Sequence, residues 1–202
     1  MGTRVFTQAQ WVRLLRGEKT VFTFGELSRL TGLSVAALRK AIARQSKNGL
    51  LLSVGKGLYL NGLRPASVEA VASLLYPPAY ISCETALFVH GVADQAPHVL
   101  TCVTTNKTKV FRTCVGEIVY HHIKRSLFFG YEFRDRVCLA WPEKAALDFV
   151  YLQRQNGLFP LLDEWNWENL SQERLADLVS IYPKSVFVHI ARFAPPTWQL
   201  GR

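Results

Sequence analysis

Three times near the start of the chain, an apolar residue, a hydroxyl-bearing residue and a second apolar residue recur at the spacing that opens a helix. Phe6-Thr7 is followed by Trp11, Phe22-Thr23 by Leu27, and Leu33-Ser34 by Leu38. In each triplet the hydroxyl can accept from an otherwise unpaired amide of the first turn, and the apolar pair can staple the incoming chain onto it. Thr7 with Gln10 and Thr23 with Glu26 complete capping boxes. The pattern predicts helices over Gln8 to Arg16, Phe24 to Thr31 and Val35 to Asn48. At about 100° per residue, Val35, Leu38 and Ile42 share the side of the third helix that faces the core, and Lys40, Arg44 and Lys47 lie opposite with Ala36 and Ala43 beside them.

Thr31-Gly32-Leu33-Ser34 joins the second and third helices, with Gly supplying the conformation that ends one and Ser beginning the next. Asn48-Gly49 stops the third helix. Leu50-Leu51-Leu52-Ser53-Val54 and Leu58-Tyr59-Leu60 then flank Gly55-Lys56-Gly57 and read as two short strands around a glycine turn. Three helices followed by a hairpin with a basic tip predict a winged helix-turn-helix over residues 1–64.

Beyond Arg64-Pro65 the pattern changes, and a second domain is expected over residues 65–202. Ser67 to Leu75 and Ser82 to His90 read as helices, the second capped by Ser82 and stopped by Gly91. Val99 to Thr104, Lys109 to Thr113, Glu117 to His122 and Val137 to Ala140 read as strands. Pro142 opens a helix to about Leu152, with Ala145, Ala146, Phe149 and Val150 on its buried side. Ser171 caps a helix to about Ile181, Tyr182-Pro183 breaks it, and Val186 to Ile190 is expected to form a last strand. The expected fold class is α+β, a winged helix-turn-helix followed by a mixed α/β domain.

Composition narrows the class. Of the 202 residues 49% are hydrophobic, enough for a sizeable core, and no apolar run approaches the length of a membrane span. Together with an N-terminus that lacks the apolar stretch of a signal peptide, this sets the expected address in the cytoplasm, away from membranes. Cys83, Cys102, Cys114 and Cys138 are scattered and read as buried or half-buried thiols, with neither a zinc-ribbon nor a redox spacing. The formal charge of +9 is segregated: Met1 to Arg64 holds eleven Lys and Arg against Glu18 and Glu26, and the remainder holds thirteen of each sign. A field confined to one third of the chain fits a polyanion partner better than a general need for solubility.

These features place double-stranded DNA on the third helix. Lys40, Arg44 and Lys47 among small residues have the length to reach guanine edges in the major groove, and Ala36 and Ala43 have the size to approach a thymine methyl. Ser34, Arg39 and the wing-tip Lys56 are assigned to phosphate or minor-groove contacts. Lys107, Lys109 and Arg112, with Lys124 and Arg125, give the second domain a local basic surplus that either extends the nucleic-acid footprint or is an ordinary solvated hairpin. No cofactor is expected and no catalytic or metal-binding residue is assigned. His121 and His122 are neighbours on a strand and point to opposite faces, and His90 fits a helix-end role. A metal-dependent nuclease would draw on Glu117, Glu143, Lys144 and Asp148, whose spacing lacks the usual Glu-x-Lys strand. No glycine-rich phosphate loop or nucleophile elbow is present.

Five segments, taken in order, resemble the AbiEi antitoxins of type IV toxin-antitoxin systems. They are Tyr80 to Gly91, Thr104 to Lys109, Tyr120 to Lys124, Leu127 to Tyr131 and Pro142 to Asp148, within a similarity spanning about residues 5 to 155. The resemblance implies a winged-helix domain that binds inverted repeats in the promoter of its own operon and represses it. It further implies an antitoxin domain that opposes a cognate nucleotidyltransferase-like toxin, generally without a tight complex, in phage defence. The residues leave open whether DNA is held by a dimer or by two monomers on repeated half-sites. Two rival readings remain: an antitoxin that neutralises its toxin by direct binding, and a metal-dependent nuclease.

Overall fold

The computed structural model describes residues 6–55, 57–134 and 137–198. The chain divides into two compact units, one running through Leu75 and taking in Thr113–Val115, the other formed by Tyr76–Arg112 with the residues from Gly116 onward. Eight α-helices and two sheets are present among the described residues, so the fold is α+β.

The first unit runs α1 (Gln8–Leu15), β1 (Val21–Thr23), α2 (Phe24–Thr31), α3 (Val35–Lys47), β2 (Leu51–Gly55), β3 (Leu58–Asn61) and α4 (Val68–Leu75). Both capping boxes form as the sequence predicts, and the Phe6 and Trp11 rings meet edge to face at 5.2 Å between centroids. At the end of α2, Gly32 adopts a left-handed φ of 64° and sends its amide to the Ser28 carbonyl, the conformation that reverses the chain before α3. Ser34 then accepts from the Ala37 amide.

One core holds this unit together: Trp11, Leu15, Phe22, Leu27, Leu33, Leu38, Ala41, Ile42 and Leu51 pack into a single buried cluster. Burying a side chain of this size stabilises by about 1.5–3 kcal/mol. Two amides tie the elements. Asn61 Nδ2 donates to the Leu15 and Lys19 carbonyls at 2.7 and 2.9 Å, and the buried Gln45 donates to Gln8 Oε1 at 3.0 Å. The strands form a sheet of order β1-β3-β2, antiparallel throughout, and the Phe24 amide donates to the Gly57 carbonyl to lock the β2–β3 turn to the start of α2.

The second unit is a six-stranded mixed sheet of order β6-β7-β5-β4-β9-β8. Its strands are β4 (Ala79–Ile81), β5 (Leu100–Thr104), β6 (Lys109–Thr113), β7 (Gly116–His122), β8 (Tyr131–Arg134) and β9 (Val137–Ala140). The helices are α5 (Cys83–Val89), α6 (Pro142–Gln155), α7 (Gln172–Val179) and α8 (Lys184–Phe193). β4 runs parallel to β9 and antiparallel to β5, and β5 runs parallel to β7. Buried Ala145, Ala146, Leu147 and Val150 line the covered side of α6.

Four expectations are corrected here. Val186 to Ile190 is helix, not strand: Pro183 fixes the turn before α8, and Val186, His189 and Ile190, spaced three and four apart, are buried while Val188 is exposed. Val35 is 54% exposed because it opens α3, one turn short of the core that Leu38, Ala41 and Ile42 enter. Ser82 sits at the N-cap of α5 but makes no cap, its hydroxyl being drawn to Asp148 instead. Cys114 is exposed in the turn between β6 and β7, whereas Cys83 and Cys102 are buried. The short strands β1, β4 and β8 are additions to the sequence reading.

Candidate nucleic-acid interface

The outward side of α3 is built by subtraction. Leu38, Ala41, Ile42 and Gln45 turn inward, which leaves Lys40, Arg44 and Lys47 at i, i+4 and i+7 on the opposite side of the helix. All three are exposed, as are Arg39, Ala36 and Ala43, and none of the four cations has an ion-pair partner among the described residues. Ser34 is exposed at the start of the same helix, with its hydroxyl engaged in the cap. Lys56 lies outside the described residues.

Acidic groups do not offset this stripe. Glu26 is bound to the start of α2, accepting from the Thr23 amide at 2.8 Å and from Lys19, and those bonds outweigh the effect of burial and hold its carboxyl below the usual value. The long cations of α3 are therefore exposed and held in no ion pair among the described residues. This surface can grip a phosphate backbone or enter a groove of a duplex.

The basic residues of the second unit are arranged differently. Lys107 is exposed in the loop before β6, and Lys109 and Arg112 are exposed on β6, at the edge of the sheet. Arg112 Nε donates to Glu117 at 2.8 Å, and Lys109 stands over the Phe111 ring at 5.0 Å. One of the three is thus neutralised in place.

The groups that a nuclease would use are bound to partners within the protein. Glu117 pairs with Arg112, Glu143 accepts from the Ser171 amide at 2.7 Å and from Arg174, and Asp148 is wholly buried. Asp148 Oδ2 accepts from Tyr80 and Ser82 at 2.9 and 2.8 Å, and Oδ1 accepts from Tyr182 at 2.7 Å and from Lys144. Burial presses the Lys144 ammonium below the usual lysine range, with Asp148 opposing, and raises the Tyr80 and Tyr182 hydroxyls. Cys83, next to Ser82, takes a left-handed φ of 53°, and burial pushes its thiol up. The cluster is closed and internally satisfied, so it holds β4, α6 and the start of α8 together and offers no acid to a substrate. His90 Nε2 meets the Ala140 carbonyl at 2.7 Å, and His122 Nδ1 meets that of Asn106 at 2.9 Å. No group of three or more metal-binding side chains occurs among the described residues, and no described helix is long and apolar enough to cross a membrane.

No family model and no curated protein matches the chain. A solved structure does share its architecture. The chain is similar to the RV2827C protein from Mycobacterium tuberculosis, with a TM-score of 0.60 at 15% identity over 91% of this chain and 74% of that one. Likeness at this identity extends to the fold alone.

The buried pair Lys144–Asp148 was not foreseen as a pair. An i, i+4 spacing of Lys and Asp flanked by Ala145, Ala146 and Leu147 was the available signal, since an apolar helix face leaves an enclosed charge in need of a partner.

Proposed function

We propose that the first unit is a winged helix-turn-helix that binds duplex DNA, with α2 and α3 as the helix pair, the β2–β3 turn as the wing and α3 in the major groove. The observation that carries this is the stripe of Lys40, Arg44 and Lys47, exposed and in no ion pair among the described residues, on the helix that follows the Gly32 turn. The charge excess of residues 1–64 supports the same reading, because a groove-binding unit draws affinity from phosphate neutralisation. The resemblance to AbiEi antitoxins supports a more specific role: repression of its own operon and antagonism of a nucleotidyltransferase-like toxin by the second unit, with no catalysis of its own.

The test is a gel-shift titration of the full chain on DNA from directly upstream of its gene, with scrambled competitor and a salt series. Retardation that survives competitor and weakens steeply with salt is expected. Lys40→Ala and Arg44→Ala should each weaken that complex by about 1–3 kcal/mol if they read bases. Unchanged affinity in both variants would remove α3 as the docking face. The antitoxin role is tested separately, by growth rescue when the second unit's chain is co-expressed with the neighbouring toxin, and a stable co-purifying complex would favour neutralisation by direct contact.

A further inference from the structure

The second unit carries another unneutralised basic surface, unconnected with α3 in sequence. The end of α6, the loop after it and the length of α8 border an open groove of about 320 Å³ lined by Arg154, Phe159, Lys184, Ser185, Val188, His189 and Arg192. A second recess of about 200 Å³ shares Arg154 and Ser185 with it and adds Lys124, Tyr151, Gln155 and Pro183. Four lysines and arginines line the two recesses, and no carboxylate among the described residues does.

The cations are not spent on internal partners. Lys124, Lys184 and Arg192 are exposed and have no ion pair among the described residues. Arg154 is half-buried at the junction of the recesses, its guanidinium carbon 3.8 Å from the Phe159 ring centroid and its Nε without a hydrogen-bond partner. The ring, itself 62% exposed, braces that charge without neutralising it. The uncapped start of α8 adds to the same wall: Pro183 has no side-chain acceptor for the first turn, so the positive end of the helix is left uncompensated beside Ser185. The larger recess has an apolar side made by Phe159 and Val188, and the smaller has only cations, hydroxyls, an amide and a proline around it.

We infer that this double recess binds a small organic phosphate: the phosphate at the Arg154–Ser185 junction with Lys124 and Lys184, the organic body against Phe159 and Val188. Charge selects the phosphate, and the pairing of a cationic recess with one that has an apolar side selects a small ester. The site is independent of the DNA-binding reading.

Isothermal titration of the full chain with AMP, adenosine and inorganic phosphate tests it. AMP is expected to bind one site per chain at least tenfold more tightly than either adenosine or inorganic phosphate. Arg154→Ala should weaken AMP at least tenfold, and the surface variant Lys184→Ala, which leaves the packing of α6 untouched, should do so severalfold, while Lys40→Ala leaves AMP binding as it was. Equal binding of AMP and adenosine would overturn the phosphate role. Equal binding of AMP and inorganic phosphate would overturn the role of the apolar wall. Binding lost with Lys40→Ala but kept with Lys184→Ala, or a short single-stranded RNA preferred tenfold over AMP, would overturn the site itself.

Discussion

Asp148 collects four donors on two oxygens, and a fully enclosed carboxylate of this kind stabilises only while its partners remain. Removing it strands the Lys144 ammonium away from water, an arrangement that costs about 3–5 kcal/mol. Urea unfolding of Asp148→Ala should show that loss, and Lys144→Met should restore part of it in the double variant, because the two changes act on one network. Glu26 makes a statement about acid. Its carboxyl is raised by burial but lowered further by Lys19 and by the Thr23 amide and hydroxyl, so it ends below 4.5. A group depressed in this way contributes stability that is complete above its unfolded value and is lost as pH falls through the folded one. Thermal unfolding in a series of acidic buffers should accordingly fall less steeply below pH 4.5 for Glu26→Gln than for the parent.

Elements differ in how openly the sequence declares them. α1, α2 and α3 were legible because each begins with a cap and staple that act within one turn, and the Lys40, Arg44 and Lys47 stripe followed from the helix period alone. Val35 failed because periodicity assigns a side but not how far along the helix the core extends. In α8, Val186-Phe187-Val188-His189-Ile190 mixes β-branched residues with an alternating look, and what decides for helix is burial against distant parts of the unit. β1, β4 and β8 are three or four residues long, too short to show a period, and exist through their partners. Caps are also where elements can be tested. Ser34→Ala should cost about 1 kcal/mol of stability, read by chemical denaturation, with the α3 cations left in place. Gly62→Ala is more severe: a methyl there would stand 1.8 Å from the Gly49 carbonyl oxygen, and about 3 kcal/mol or more is expected from the displacement of the loop after α3.

At the scale of the whole molecule the segregation of charge sets how the proposed DNA binding should respond to ions. Each phosphate contact contributes about 0.9 to the slope of log affinity against log salt, so Arg39→Ala should flatten that slope by about 1 while preserving the preference for one sequence over another. A steeper or unchanged slope would move Arg39 off the backbone. The two units also differ in how far apart their strands lie along the chain. In the first, the widest pairing, Val21 of β1 with Leu60 of β3, spans 39 residues. In the second, Ile81 of β4 pairs with Leu139 of β9, 58 residues further along the chain. Closing such distant pairs slows folding, since chain entropy is lost before any contact rewards it. During synthesis, then, the first unit can close its core while β9 has yet to be made, and for that interval the ribosome carries a finished head on a half-built sheet.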